Sequence, residues 1–344
     1  MISHELYPLM VAPAEEPTWT EIDLLNPQQV DFRLQHLLGR GVGNYKFDHE
    51  PTDSPKYERI SGSNSEVFEH PDSTFLGKEL ATNEVLFFKG LRKSYNRRGK
   101  LISQQWQHPI RQASILMQLD DPTIVPFHDL AYFPDTSIPA TQSLGWLSRI
   151  YLVTKYIPSA TSIDKYALSV EDGTEVVRIL QTITDTLSYI SQKRIIHGDI
   201  HPSNIIVDHT GKPYIIDFDL AQYLEPKEKE ITQQIVLTEP FAPPEQLLGL
   251  FNLKTDVYSW AQTISCVLQG ATKETFDNRT IIIHPDFSKL LYNYGILEKT
   301  RKLISSSVET TTTYRPTMAE FSRKFHELFD PLLLSEEVQV RKRS

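Results

Sequence analysis

Apolar residues follow two different spacings in two stretches of the chain. Between residues 57 and 157 they come in short runs separated by turn-forming residues: "SEVFEH" (65–70), "STFLGKEL" (73–80), "NEVLFFKG" (83–90), "TIVPFHDLAYF" (123–133) and "SRIYLVTKYI" (148–157). Runs this short, rich in Val, Ile, Phe and Tyr, predict about five strands, and adjacent hairpins would make their sheet antiparallel. One helix is predicted among them, "WQHPIRQASILMQL", with Ile115, Leu116 and Leu119 on one face.

After Pro158 the period lengthens. "GTEVVRILQTITDTLSYISQKR" carries apolar residues at 176, 177, 180, 183, 187 and 190, a helical stripe. "KTDVYSWAQTISCVLQG" is apolar on nearly all sides, which predicts a helix buried through the body of a domain. "TMAEFSRKFHELFDPLLL" is amphipathic and is expected to end near its proline. The expected order is an irregular segment (1–56, closed by the break "PTDSPK"), a strand-rich lobe (57–157), a larger helical lobe (158–332) and a charged tail (333–344).

Chemistry concentrates at the start of the helical half. "HGDIHPSN" (197–204) places an Asp two residues after a His and an Asn five residues further on. The following "NIIVDHTGKPYIIDFDLA" reads as strand, Gly-containing turn, strand, so a tight hairpin would bring Asn204 and Asp217 together from opposite ends. Asn204 and Asp217 then offer an amide and a carboxylate oxygen to a hard cation such as Mg²⁺, which shares its coordination with phosphates and water. Asp199 is placed to accept a proton from, or to orient, a hydroxyl nucleophile. One base and two metal ligands are what phosphoryl transfer from a nucleotide asks of a protein. Each residue alone is also an ordinary turn former; the complete spacing is what argues against turns alone.

Composition narrows the setting. A net charge of -9 disfavours a general nucleic-acid or anionic-membrane binder. Cys266 is the one cysteine, so no intramolecular disulfide forms, as suits a reducing compartment. No apolar run reaches the roughly 18 residues of a transmembrane helix. The N-terminus lacks the basic start of a secretory signal. A cytoplasmic protein without a transmembrane segment is expected.

The pair "HGDIHPSN" and "DFD" resembles the catalytic and metal-binding loops of the eukaryotic-type protein kinase family, where H-R-D-x-x-x-x-N precedes D-F-G. The resemblance implies an α+β, bilobal fold with a small antiparallel-sheet lobe and a large helical lobe. It implies Asp199 as catalytic base, Asn204 and Asp217 on Mg²⁺, and His197 and Phe218 as packed groups that shape the loops. "TEPFAPPEQ" (238–246) resembles the end of an activation segment, with Glu245 at the acidic position of A-P-E and Pro243 replacing its Ala. Asp256 in "KTDVYSWAQTI" matches the residue that braces the catalytic loop, and Arg315 in "YRPTMAEF" the partner of that glutamate. Thr238 takes the place of the family's Thr beside the substrate, which implies Ser/Thr acceptors in a protein substrate. The match covers roughly residues 57 to 332 and is strongest in the C-terminal half.

On the nucleotide side, Lys89 at the end of an apolar strand is the candidate for the ATP phosphates, with Lys78 as competitor. Gln112 falls where the family has a glutamate that pairs with that lysine. Gly62 and Val67 in "ISGSNSEVF" are the preferred phosphate loop and adenine cap over "LGRGVGNYKF" (38–47). Lys155 and Ile157 fall at the backbone that meets adenine, and Ile206 is assigned to the nucleotide with them. His201 stands where Ser/Thr kinases usually carry a phosphate-contacting lysine. Gly198 replaces the arginine that grips a phosphorylated activation segment, and Asp219 replaces the glycine of D-F-G. The basic run "LRKSYNRRGK" (91–100) is expected to be a solvated loop, and "SSSVETTTTY" (305–314) a polar connection.

Three functions compete: an active Ser/Thr kinase using ATP and Mg²⁺, a pseudokinase that serves as an interaction module, and a small-molecule phosphotransferase of the aminoglycoside or choline kinase type. "HGDIHP" resembles the third class; Glu245 and Arg315 speak against it.

Overall fold

The computed structural model describes residues 57–59, 74–90, 93–95, 101–104, 107–132, 150–232, 237–278 and 283–343. They divide between two compact units, residues 1–118 with 126–156 and residues 119–125 with 157–344.

The first unit holds β1 (Tyr57–Arg59), β2 (Thr74–Glu79), β3 (Val85–Lys89), β4 (Lys93–Tyr95), β5 (Leu101–Gln104), α1 (Gln107–Leu116), β6 (Phe127–Tyr132) and β7 (Ile150–Lys155). Five of the strands form one antiparallel sheet in the order β1-β2-β3-β7-β6. The turn between β2 and β3 closes through Glu84 and Asn83, and Asn83 adopts φ 62°, a left-handed conformation that Asn tolerates better than most residues. Alternation along β3 buries Leu86 and Phe88 with Ala131 and Val153, and leaves Phe87 and Lys89 half-buried on the other face. The ring of Phe88 lies 2.4 Å from where a Cβ on Gly77 would sit, so β2 needs glycine there. Helix α1 buries Gln112, Ala113, Ile115 and Leu116.

The strands "STFLGKEL", "NEVLFFKG", "TIVPFHDLAYF" and "SRIYLVTKYI" appear where the periodicity puts them. "SEVFEH" lies outside the described residues, and the fifth strand of the sheet is Tyr57–Arg59. The expectation of a solvated loop at 91–100 needs correction: Lys93–Tyr95 pairs antiparallel with Leu101–Gln104. Its basic residues masked a short strand, because charge on an alternating segment does not prevent backbone pairing.

The second unit contains β8 (Thr161–Ser162), α2 (Ile163–Ser169), α3 (Gly173–Gln192), β9 (Ile195–Ile196), β10 (Ile205–Val207), β11 (Pro213–Ile215), β12 (Gln222–Tyr223), β13 (Ile231–Thr232), β14 (Leu250–Phe251), α4 (Thr255–Gln269), α5 (Pro285–Asn293), α6 (Leu297–Ser307) and α7 (Met318–Arg343). Asp172 caps α3 by accepting from the Thr174 amide at 2.8 Å, which satisfies one of the helix's unpaired N–H groups. The predicted stripe Val176, Val177, Leu180, Ile183, Leu187 and Ile190 is buried throughout. Each such side chain contributes about 1.5–3 kcal/mol relative to exposure. Helix α4 is buried on nearly every side, and its Trp260 indole donates to the Thr184 hydroxyl of α3 at 2.9 Å. Phe321, Phe325 and Phe329 stack along α7, which packs on α3.

Helix α7 runs through Pro331 instead of stopping beside it. Pro331 is exposed while Phe329 and Leu332 are buried, so the carbonyl deprived of its partner can be solvated and the apolar face holds the helix on. Among the described residues no helix is long and apolar enough to cross a membrane.

Candidate active site

The loop between β9 and β10 is held from below by α4. The buried Asp256 accepts from the His197 amide at 2.7 Å with one oxygen and from the Gly198 amide at 2.8 Å with the other. Burial pushes the Asp256 carboxyl above its ordinary range, opposed by His197 and by those two amides. Gly198 needs its glycine: it adopts φ +78°, and a Cβ would meet the Leu220 carbonyl and the Phe251 ring at 3.1 Å. His197 is fully buried, with its ring 4.6 Å from that of Phe218 and its Nε2 3.1 Å from the Ile216 carbonyl oxygen.

These supports present Asp199. Its Oδ1 accepts from the Thr238 hydroxyl at 2.8 Å, and its Oδ2 from the Asn204 amide nitrogen at 3.3 Å. His201 is 5% exposed; its Nδ1 accepts from the Ser203 amide at 3.2 Å, and its Nε2 lies 3.6 Å from Asp199 Oδ2. Burial alone raises the Asp199 pKa. The His201 ring and the Thr238 hydroxyl outweigh burial and hold the carboxyl down at about 2. Asp199 is therefore an anion at neutral pH, with one carboxylate oxygen accepting from the Thr238 hydroxyl.

The hairpin of β10 and β11 joins the two candidate metal ligands. Ile205 pairs with Ile215, and the Ile216 amide donates to the Asn204 carbonyl at 2.9 Å. The Asn204 side chain spends its nitrogen on Asp199, which leaves its amide oxygen as the atom to present to a cation. Asp217 follows at φ +62°. An amide oxygen and a carboxylate suit a hard cation such as Mg²⁺ that completes its shell with phosphate and water. Among the described residues no group of three or more His, Cys, Asp or Glu side chains is arranged around a metal position.

The end of the segment after Thr238 is anchored by charge. Arg315 is 1% exposed and grips Glu245 with both terminal nitrogens, at 2.7 and 2.8 Å. Gln246, which the sequence analysis did not single out, donates to the Gly198 carbonyl at 2.7 Å. Only its neighbour Glu245 carried a recognisable signal.

Asp199, His201, Asn204 and Thr238 thus form one contact group, with Asp217 beside Asn204 along the hairpin. Ile206 lies in β10 between Tyr214 and Ser162, and Ile157 is buried in the same unit. Lys89 sits at the end of β3, opposite Thr74 and Leu152, on the central strand of the five; Lys78 is on β2 opposite Val85. Gln112 is buried on α1, and Lys155 ends β7 with its side chain exposed. Gly62 and Val67 lie outside the described residues.

Comparison with known proteins points the same way. The profile of the family described as "Protein kinase domain" matches residues 66–339. The chain is 25% identical over 201 residues to serine/threonine-protein kinase PrkC of Bacillus subtilis, covering 58% of this chain and 28% of that protein. It is 33% identical over 139 residues to serine/threonine-protein kinase C of Synechocystis (38% and 26% covered) and 31% over 140 residues to dual specificity protein kinase zak2 of Dictyostelium discoideum (39% and 21%). The similarity therefore spans well under a third of each relative. With a family match over most of its length, one antiparallel-sheet unit and one largely helical unit, the chain belongs to the protein kinase domain family.

Proposed function

We propose that the protein transfers the γ-phosphoryl group of ATP, with Mg²⁺, to Ser or Thr hydroxyls of a protein substrate. The observation that carries this reading is the Thr238 hydroxyl hydrogen-bonded at 2.8 Å to an Asp199 carboxylate held ionised. In the reaction the acceptor hydroxyl gives its proton to Asp199, while Thr238 and Asn204 hold the carboxylate in place. Mg²⁺, held by Asn204 and Asp217, would neutralise charge on the phosphates when bound. Lys89 would hold the phosphates, supported by Gln112 in place of a carboxylate, and Gly62, Val67, Lys155, Ile157 and Ile206 would surround the nucleotide. The two lobes would be residues 57–157, apart from 119–125 and Ile157, and residues 158–332, and the protein would act in the cytoplasm.

Buried Gln112 favours a second reading, a pseudokinase, because an amide has no charge with which to hold a lysine. Incubation with labelled ATP, Mg²⁺ and a mixed set of protein substrates separates the readings. Label on Ser or Thr that disappears in Asp199→Asn, a loss of roughly 10²- to 10⁴-fold with ATP binding kept, supports the kinase. ATP binding without transfer supports the pseudokinase, and label on small metabolites alone supports a small-molecule phosphotransferase.

A further inference from the structure

The residue before Asp199 is clamped at both of its peptide groups. The Gly198 amide donates to Asp256 Oδ1 at 2.8 Å, and the Gly198 carbonyl accepts from Gln246 Nε2 at 2.7 Å. Gln246 is 2% exposed and sits in the 3-10 turn Pro244–Leu248, directly after Glu245 and its ion pair with Arg315. Glycine has more backbone conformations open to it than any other residue, so the orientation of the peptide linking 198 to 199 depends on outside partners. Rotation of that peptide would turn the Asp199 amide from His197 Nδ1, now 3.3 Å away, and carry the carboxylate from Thr238.

We propose that Gln246 is a positioning residue: its amide holds the Gly198–Asp199 peptide so that Asp199 faces the acceptor hydroxyl. It thereby ties the segment that begins at Thr238 to the catalytic loop with a neutral hydrogen bond. The clamp occupies the loop at the residue where a charged side chain would be needed to read a phosphate, and it needs no modification to form. A neutral amide suits the place, because a carboxylate would set a second acceptor against the Gly198 carbonyl in a buried site. This inference rests on the proposed role of Asp199 in phosphoryl transfer.

The test compares full-length wild type with Gln246→Met, which keeps length without a donor, and with Gln246→Glu, which donates only when protonated. Two quantities are read: hydrogen exchange of the peptide covering 195–204, and initial rates with ATP and a Ser/Thr peptide. Gln246→Met is expected to speed exchange in the loop and lower kcat by roughly 10-fold or more, with both KM values within about 2-fold. Gln246→Glu is expected to match Gln246→Met near pH 8 and to regain protection and rate, relative to wild type at the same pH, toward about pH 5 as the carboxyl regains a proton. Unchanged loop exchange in Gln246→Met overturns the inference, as does an equal deficit of Gln246→Glu at both pH values. If Gln246→Met fails to fold, the pH response of Gln246→Glu decides. A wild type that transfers no phosphate refutes the proposed function, while the exchange comparison still decides whether Gln246 clamps the loop.

Discussion

Removing the guanidinium of Arg315 should be among the most damaging single changes to the helical unit. Its side chain has no exposed area and that of Glu245 only 9%, so both charges have left water. The pair is joined by two bonds of 2.7 and 2.8 Å. Arg315 also donates from Nε to the Glu309 carbonyl at 2.6 Å and to the Thr310 and Lys254 carbonyls at 3.3 and 3.4 Å, with its guanidinium 4.9 Å from the Tyr258 ring centre. Glu245, by contrast, keeps only the Thr255 hydroxyl at 3.2 Å among its described partners once Arg315 is gone. Arg315→Met therefore strands a buried carboxylate, at a cost of about 3–5 kcal/mol. Glu245→Gln leaves a guanidinium that still has three carbonyls and a ring, so about 2 kcal/mol is expected. At about 2–4 °C per kcal/mol for a unit of this size, Arg315→Met should lower Tm by roughly 6–20 °C. The double variant should lose about 1–3 kcal/mol less than the two single losses added. Scanning calorimetry with urea titrations on the four proteins measures all of this. A Tm drop below about 2 °C for Arg315→Met, or strict additivity, would refute the argument that burial makes this pair costly to break.

Other outcomes follow from local geometry. Lys89→Met should reduce phosphoryl transfer far more than Lys78→Met in the same initial-rate assay; a larger loss from Lys78 would move the phosphate contact to β2. Gly198→Ala should cost about 1–2 kcal/mol for its left-handed conformation, before any cost of the 3.1 Å contact with Leu220, which thermal unfolding would register. On α7, His326 contacts Asp185 at 2.8 Å and Asp330 at 2.9 Å; burial lowers its pKa, but these two carboxylates outweigh burial and raise it above the usual 6.5. The protonated clamp between α3 and α7 is thus fully present below about pH 6.5 and is lost as pH rises through the raised value. The Tm gap between wild type and His326→Asn should shrink with rising pH, and a gap that stays constant from about pH 5 to 9 would contradict it.

Local pattern was enough to place the long elements. The stripe from Val176 to Ile190 can be buried only on a helix, and the run from Val257 to Leu268, apolar on nearly all sides, only by a helix inside a lobe. Asn204 and Asp217 were legible as neighbours because a hairpin is a local structure whose turn residues are written between its arms. Asp199 was singled out by spacing within eight residues, which also placed Asn204 in reach of its carboxylate. What the sequence left undetermined depends on contacts made across long stretches of chain. Helix α7 passes Pro331 because Leu332 finds a buried place, which no proline rule can foresee. Residues 119–125, contiguous with the sheet strands, belong to the helical unit, where the Val125 amide bonds to the Ile215 carbonyl at 3.0 Å and the Ile215 amide to that of Thr123 at 2.7 Å. Gln246 reads as an unremarkable polar residue until folding carries it across 48 positions to the Gly198 carbonyl. Residue types and short spacings determined which groups were available for chemistry. Tertiary packing decided their partners, because burial makes an unmatched polar group expensive and leaves each one with whichever neighbour the fold brings within reach.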